Sequence, residues 1–267
     1  MMTYKMLVLD IDDTLLNSQH EISPKTFKRL IEFQEAGNYL VLASGRPTAS
    51  MFETADLLKL NHYNSHIISF NGAVVSAVAS RTEIFSQRMD VDEQQEVIDF
   101  IQANDLAVIA YTEDGIKVDR ENEYSHIEGE LTGLPWEYDE AYFKSITQPQ
   151  LKFIGVGDPT ICKQLEQDLG GRYGKQTNAV TSKPYFLEFM HEASSKGSSL
   201  ERLCEHLGID ISQTIACGDG NNDLTMIETA GLGVAMGNAT ETLKKAADYI
   251  TASNDEDGIV QVIDKFF

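Results

Sequence analysis

MLVLDIDDT, residues 6–14, is an apolar run that ends in three carboxylates within four positions, Asp10, Asp12 and Asp13. MLVL is short and β-competent, and the like charges gathered at its end repel one another. A lone aspartate after a strand is commonly a turn or helix-cap residue, whereas three together ask for a shared task. Residues two apart in an extended segment point the same way, so Asp10 and Asp12 are expected to face one spot with Ile11 turned away. A calcium loop fits only in outline. Asp10, Asp12 and Glu21 fall at suitable spacings, but Leu15 stands where that loop needs glycine, and a strand replaces its entering helix.

Working outward, residues 24–36 carry Phe27, Leu30, Ile31 and Phe33 at helical spacing, Gly37 suits the helix end, and NYLVLAS (38–44) returns to strand. Pro47 suits the first turn of a further helix, and IISF (67–70) gives a third strand ended by Asn71-Gly72. The alternation resumes with a helix over 196–207, strand TIACG (214–218), a helix over 224–230, strand LGVAM (232–236), a helix over 241–247, strand YIT (249–251) and a closing helix over 257–266. This order predicts an α/β fold, a doubly wound parallel-sheet (Rossmann-like) core with helices on both faces. The middle differs. A helix over 91–103 leads to LAVIAYT (106–112) and IKVDR (116–120), joined by an Asp-Gly turn that suits an antiparallel hairpin. We expect a smaller α/β domain at 81–187, inserted into a core made of 1–80 and 188–267, with hinges near 79–84 and 185–190.

Composition limits what the protein does. Forty-two acidic against 21 basic residues give a net charge of −21, which disfavours nucleic acid and anionic membrane as partners and requires a dedicated positive site for any anionic substrate. The three cysteines, Cys162, Cys204 and Cys217, show no metal or redox spacing and suit a reducing, cytoplasmic setting. MLVL is too short for a signal-peptide core and far below the ~20 residues of a membrane span. Oligomeric state is not legible.

Three further polar clusters sit at equivalent strand ends. In ASGRP, Ser44 and the Gly45 backbone can bind an oxyanion, although a plain helix cap is the better explanation of an isolated match. In CGDGNNDLTMI, Asp219 and Asp223 flank Asn221 and Asn222. An Asx-rich turn is the alternative there, and a calcium loop fails because Leu224 takes the glycine position. Four acids from two strand ends repel without a cation, and oxygen-only donors suit Mg²⁺. In SSKGSSL, Lys196 opens an amphipathic helix, where the dipole disfavours a cation. It is either a solvated surface lysine or the counter-charge to this cluster.

Asp10-Ile11-Asp12, Ser44 in ASGR, Lys196 and the Gly218-Asp219-x-x-Asn222-Asp223 run resemble, in order, the four motifs of the haloacid dehalogenase superfamily of phosphatases, and the whole chain is similar to its Cof-type sugar-phosphate phosphatases. Many members have glycine where this chain has Asp13. The resemblance implies a phosphatase acting on a small phosphorylated metabolite, with Asp10 as nucleophile and Asp12 as acid and base. It implies Mg²⁺ held by Asp10, the Asp12 backbone carbonyl, Asp219 and Asp223. Ser44, Lys196, Asn222 and the backbone of Ile11 and Gly45 would take the phosphoryl oxygens, with Arg46 and Asn71 as further candidates for substrate contact. The inserted domain would close over the site and read the leaving group, with Lys117, Arg120 and Lys183 among its candidate contacts. A phosphomutase on the same scaffold and a non-catalytic metabolite-binding module are the alternatives.

Overall fold

In the computed structural model, which describes residues 4–267, the run Met6–Leu9 is a strand buried along its whole length, inside an eight-stranded sheet. Burial on both faces is why these four positions are continuously apolar rather than alternating. The strand pairs in parallel with Tyr39–Ala43 on one side and Thr214–Gly218 on the other. His66–Ser69 extends the first side, and Leu232–Ala235 and Tyr249–Ile250 extend the second, all in parallel. The order of strands therefore reverses at Met6–Leu9. In open α/β sheets this reversal opens a crevice beyond the carboxyl ends of the two central strands, here just before Asp10 and Asp219.

Local chemistry sets the connecting helices. Pro24–Glu35 starts behind Ser23, whose hydroxyl accepts from the Thr26 N–H, and the chain leaves its end through Gly37 at φ +88°. Pro47 stands one residue before the helix Thr48–Leu57 rather than inside its first turn. Lys196–Leu207 starts behind a capping box made by Ser195 and Ser198 and ends at Gly208 in the left-handed region.

The sheet is not wholly parallel. After His66–Ser69 the chain turns back through Val74–Ala77 and Thr82–Ser86, both antiparallel, which the sequence reading left out. The turn depends on Gly72, at φ +97°, where an added Cβ would lie 2.0 Å from the Ser195 carbonyl oxygen. Those extra strands belong to the first of two compact units, which runs to Ser86 and resumes over Ser194–Phe267. The second is Gln87–Ala193. The hinges expected at 79–84 and 185–190 instead overlap the hydrogen-bonded strands Thr82–Ser86 and Phe186–His191, and the units divide beyond each of them.

The second unit holds a seven-stranded sheet in the order Arg172–Tyr173, Thr177–Lys183, Phe186–His191, Lys152–Val156, Ala107–Thr112, Gly115–Val118, Trp136–Tyr138. All its pairs are antiparallel except the last. One face packs Phe153, Leu187 and Phe189 with Val97, Ile98 and Ile101 of the helix Val91–Ala103. The other carries Ile109, Ile154, Val156 and Phe186. Lys152 and Glu188 form a buried ion pair at 3.1 Å. Of the cations singled out here, Lys117 is tied to Glu137 and Asp139, and Arg120 donates to the Leu106 carbonyl at 2.6 Å, so both serve the unit's own structure. Lys183 is exposed.

At the opening of its strand, His66 is 4% exposed, with its ring 6.4 Å from that of His206. Burial first, and then the neighbouring imidazole, pushes its pKa down to about 4. Between that value and the ordinary one of about 6.5, the unfolded chain binds a proton that the folded chain refuses. Stability is therefore lost as pH falls through this window. We expect the urea midpoint to drop more steeply between pH 6.5 and 5 in the wild type than in His66→Phe; equal slopes would contradict this.

Candidate active site

Four strand-end segments of the first unit converge on the switch point. The first is the stretch after Met6–Leu9, which does not stay extended. Leu15 N–H bonds back to the Asp10 carbonyl at 3.2 Å and Leu16 N–H to that of Ile11 at 2.9 Å, a wide helical turn with Asp13 at φ +58°. That left-handed conformation is natural to glycine and tolerated by aspartate, which accounts for Asp13 at a position where glycine is common. The Asp13 carbonyl accepts from Asn238 Nδ2 at 2.7 Å, and the Leu16 carbonyl accepts from Asn254 Nδ2 at 2.9 Å.

The turn changes where the acids point. Asp10 and Ile11 are both buried, whereas Asp12 is exposed, so the alternation expected of an extended chain does not hold. Asp10 faces Lys196, whose Nζ donates to Asp10 Oδ1 at 2.6 Å and to Asp223 Oδ1 at 2.5 Å. Lys196 is fully buried, which rules out a solvated surface role. Asp223 uses its other oxygen to accept the backbone N–H groups of Asp219 at 3.0 Å and Gly220 at 2.9 Å. Gly218 makes room for this, since a Cβ there would come within 2.6 Å of the Asp223 carboxyl. Asp219 accepts from the Thr14 hydroxyl at 2.8 Å, a contact that gives a role to a buried threonine the sequence reading left unassigned.

Charge in this cluster is out of balance. Burial, and next the charge of Asp223, holds Asp10 well above the ordinary carboxylate range, against the pull of Lys196. Burial pushes Asp219 up to about 6, with Asp223 and Asp13 adding to it and the Thr14 hydrogen bond opposing. For Lys196, burial works against the charge, yet Asp10 and Asp223 together hold its ammonium above its usual pKa. One cation faces three carboxylates, each offering an oxygen within 4.8 Å of the others. Such a donor set, all hard oxygens with negative charge in excess, fits a divalent cation of the Mg²⁺ type.

The second and third strand ends supply neutral and basic groups. Ser44 Oγ accepts from the Arg46 N–H at 3.2 Å, and the Ser44 carbonyl accepts from the Asn71 N–H at 3.0 Å. Among the described residues no protein acceptor takes the Gly45 N–H. Asn71, at φ +52°, brings its side-chain oxygen to 3.1 Å from where a Gly45 Cβ would stand and accepts from Asn222 Nδ2 at 3.1 Å. The Asn222 amide is thus engaged by Asn71, the other candidate for substrate contact. The guanidinium of Arg46, a candidate for substrate contact, grips Asp12, with Nε at 2.9 Å from Oδ2 and Nη2 at 2.5 Å from Oδ1. Thr240 was also missed. Its N–H donates to the Asp219 carbonyl at 2.9 Å, and its hydroxyl to Asn221 Oδ1 at 3.0 Å. The signal was available, because residues 237–240 follow a parallel strand at the same edge of the sheet.

Comparison with known proteins gives this arrangement a family. A family model described as haloacid dehalogenase-like hydrolase matches residues 7–263. A Streptococcus pyogenes protein provisionally named a phosphatase is 32% identical over 270 residues, 99% of each chain. A Bacillus subtilis protein named 5-amino-6-(5-phospho-D-ribitylamino)uracil phosphatase is 31% identical over 263 residues, covering 97% of this chain and 94% of that one. Among solved structures, a haloacid dehalogenase-like hydrolase from Bacteroides thetaiotaomicron superimposes with a TM-score of 0.91 at 38% identity, over 99% of this chain and 100% of that one. The chain belongs to the haloacid dehalogenase-like hydrolases, and within them to the Cof-type phosphatases, enzymes that hydrolyse phosphoric monoesters.

Lys196→Met would leave Asp10 and Asp223 buried without their counter-charge. Breaking one side of a buried ion pair costs on the order of 3–5 kcal/mol. Urea denaturation in the presence of a chelator is expected to show a loss of about that size; unchanged stability would contradict the balance described here.

Proposed function

We propose that this protein is a Mg²⁺-dependent phosphatase that hydrolyses small phosphorylated metabolites, sugar phosphates or similar phosphomonoesters, through an aspartyl-phosphate on Asp10. The observation that carries the reading is the buried Asp10–Lys196–Asp223 bridge, with Asp219 within ligating distance at the same sheet edge. Lys196 holds Asp10 by Oδ1, which leaves Oδ2 to attack phosphorus. As the Oδ2–P bond forms, the bond from phosphorus to the ester oxygen breaks, and Asp12 gives that oxygen a proton. Water then attacks phosphorus, Asp12 takes its proton, and the Asp10 carboxylate and inorganic phosphate are released. Splitting one displacement into two easier ones is the gain of covalent catalysis.

Mg²⁺ bound by the Asp10 carboxylate, the Asp12 carbonyl, Asp219 and Asp223 would screen the anionic nucleophile from the anionic phosphate. Lys196, the Ser44 hydroxyl, the N–H groups of Ile11 and Gly45, and the Asn222 amide are assigned to the phosphoryl oxygens, where charge spreads during transfer. Binding of phosphate by Asn222 requires its amide to leave or share Asn71. To Gln87–Ala193 we assign the reading of the leaving group. The ribityl-phosphate named for the Bacillus subtilis relative supports a small phosphomonoester as the substrate class.

The strongly acidic chain supports a small-molecule partner rather than nucleic acid or membrane, and no helix among the described residues is long and apolar enough to cross a membrane. Three unpaired, buried cysteines support a reducing, cytoplasmic setting.

Asp10→Asn removes the nucleophile while keeping the side chain's shape. We expect hydrolysis of p-nitrophenyl phosphate with Mg²⁺ to fall by on the order of 10⁴-fold or more. The rise in thermal midpoint on adding Mg²⁺ should survive, because Asp219 and Asp223 are intact. Retained turnover would sink the assignment of Asp10.

A further inference from the structure

Asp10 and Asp12 have opposite environments. Asp10 is buried and pinned by Lys196, whereas the Asp12 side chain keeps 49% of its surface exposed. A carboxylate so placed samples several rotamers unless something selects one. The only charged side chain that bonds to it among the described residues is Arg46, and it does so with both prongs of the guanidinium fork. Such a fork fixes the plane of the carboxylate as well as its position.

Arg46 itself rests on a rigid base. Its N–H donates to Ser44 Oγ at 3.2 Å, its carbonyl accepts from Phe70 N–H at 3.0 Å, and Pro47 follows it. The backbone that carries the fork is therefore tied to the second and third strand ends, while the carboxylate it holds belongs to the first. The fork occupies one lone-pair position on each Asp12 oxygen, and a carboxylate offers about four. A position on each oxygen stays open for the proton that passes to the leaving group or from water.

We propose that Arg46 is a positioning residue for Asp12, acting on the reaction through that carboxylate rather than by binding the phosphoryl group. This rests on the reading of Asp12 as the proton carrier. It replaces direct substrate contact as the task of Arg46 and makes the second strand-end segment serve two purposes. Ser44 and Gly45 face the phosphate, and Arg46 aims the neighbouring acid.

The test uses leaving groups of different quality. A poor leaving group needs a proton as it departs, and a good one hardly does. On the full-length protein with Mg²⁺, kcat/KM is measured for phenyl phosphate, the poorer leaving group, and for p-nitrophenyl phosphate. Arg46→Ala is expected to lose at least about tenfold more on phenyl phosphate than on p-nitrophenyl phosphate, with an unchanged thermal midpoint. Arg46→Lys, which keeps the charge but not the fork, should show the same selective loss on phenyl phosphate. Adding Arg46→Ala to Asp12→Asn should change neither substrate by more than about twofold.

Equal losses on both substrates, or further loss in the Asp12→Asn background, would overturn the inference and return Arg46 to phosphate binding. Asp12→Asn alone is the control for the underlying reading. If it hydrolyses both substrates as the wild type does, Asp12 is not the proton carrier, and the role of Arg46 falls with it. If it is selective while Arg46→Ala is not, only the inference about Arg46 falls.

Discussion

A fully buried lysine ammonium between two carboxylates is the constraint on which the rest depends. Lys196 lies within hydrogen-bond reach of Asp10 and Asp223, which follow different strands, and it stands at the first position of a helix whose dipole disfavours it. Nothing in a helix-forming sequence calls for a cation there, so the cost is met by what it holds together. Asp10 is fixed through one oxygen, Asp223 uses its other oxygen to accept the Asp219 and Gly220 N–H groups, and the net negative charge that remains suits a divalent cation.

The fold exists to bring those segments to one edge. Met6–Leu9 lies where the strand order reverses, so the stretches after it and after Thr214–Gly218 open on the same crevice. Glycine permits the close approaches behind them. Without Gly72 the third strand end would collide with the Ser195 carbonyl and displace the helix that carries Lys196. Thr14 ties the turn that follows Met6–Leu9 to Asp219, and Asn238, Thr240 and Asn254 hold that turn and Asp219 from neighbouring segments.

Much of this was legible because strands and acids are written locally. MLVL, YLVLA, TIACG and LGVA are apolar runs of strand length, Asp10 and Asp219 follow two of them directly, and Asp223 comes in the turn after Asp219. What was not legible depends on backbone turns and on contacts between distant residues. Asp12 does not share a direction with Asp10 because residues 11–15 close a helical turn, which period-two reasoning cannot foresee. The partners of Arg46 and Asn222 are set by long-range packing between strand ends. The hairpin Val74–Ala77 and Thr82–Ser86 escaped notice because its short runs lack a clear alternation, so the first unit runs on to Ser86, past the boundary expected at 80.

If Asp10, rather than a water activated by the acidic cluster, attacks phosphorus as we propose, the enzyme passes through an acyl phosphate at that residue. An acyl phosphate is reduced by borohydride to an alcohol, which converts the modified aspartate to homoserine. Enzyme mixed with Mg²⁺ and p-nitrophenyl phosphate, reduced with borohydride, digested and read by mass spectrometry should carry homoserine at residue 10 and at no other acidic position. No homoserine, or homoserine at Asp12 or Asp219 instead, would contradict the account.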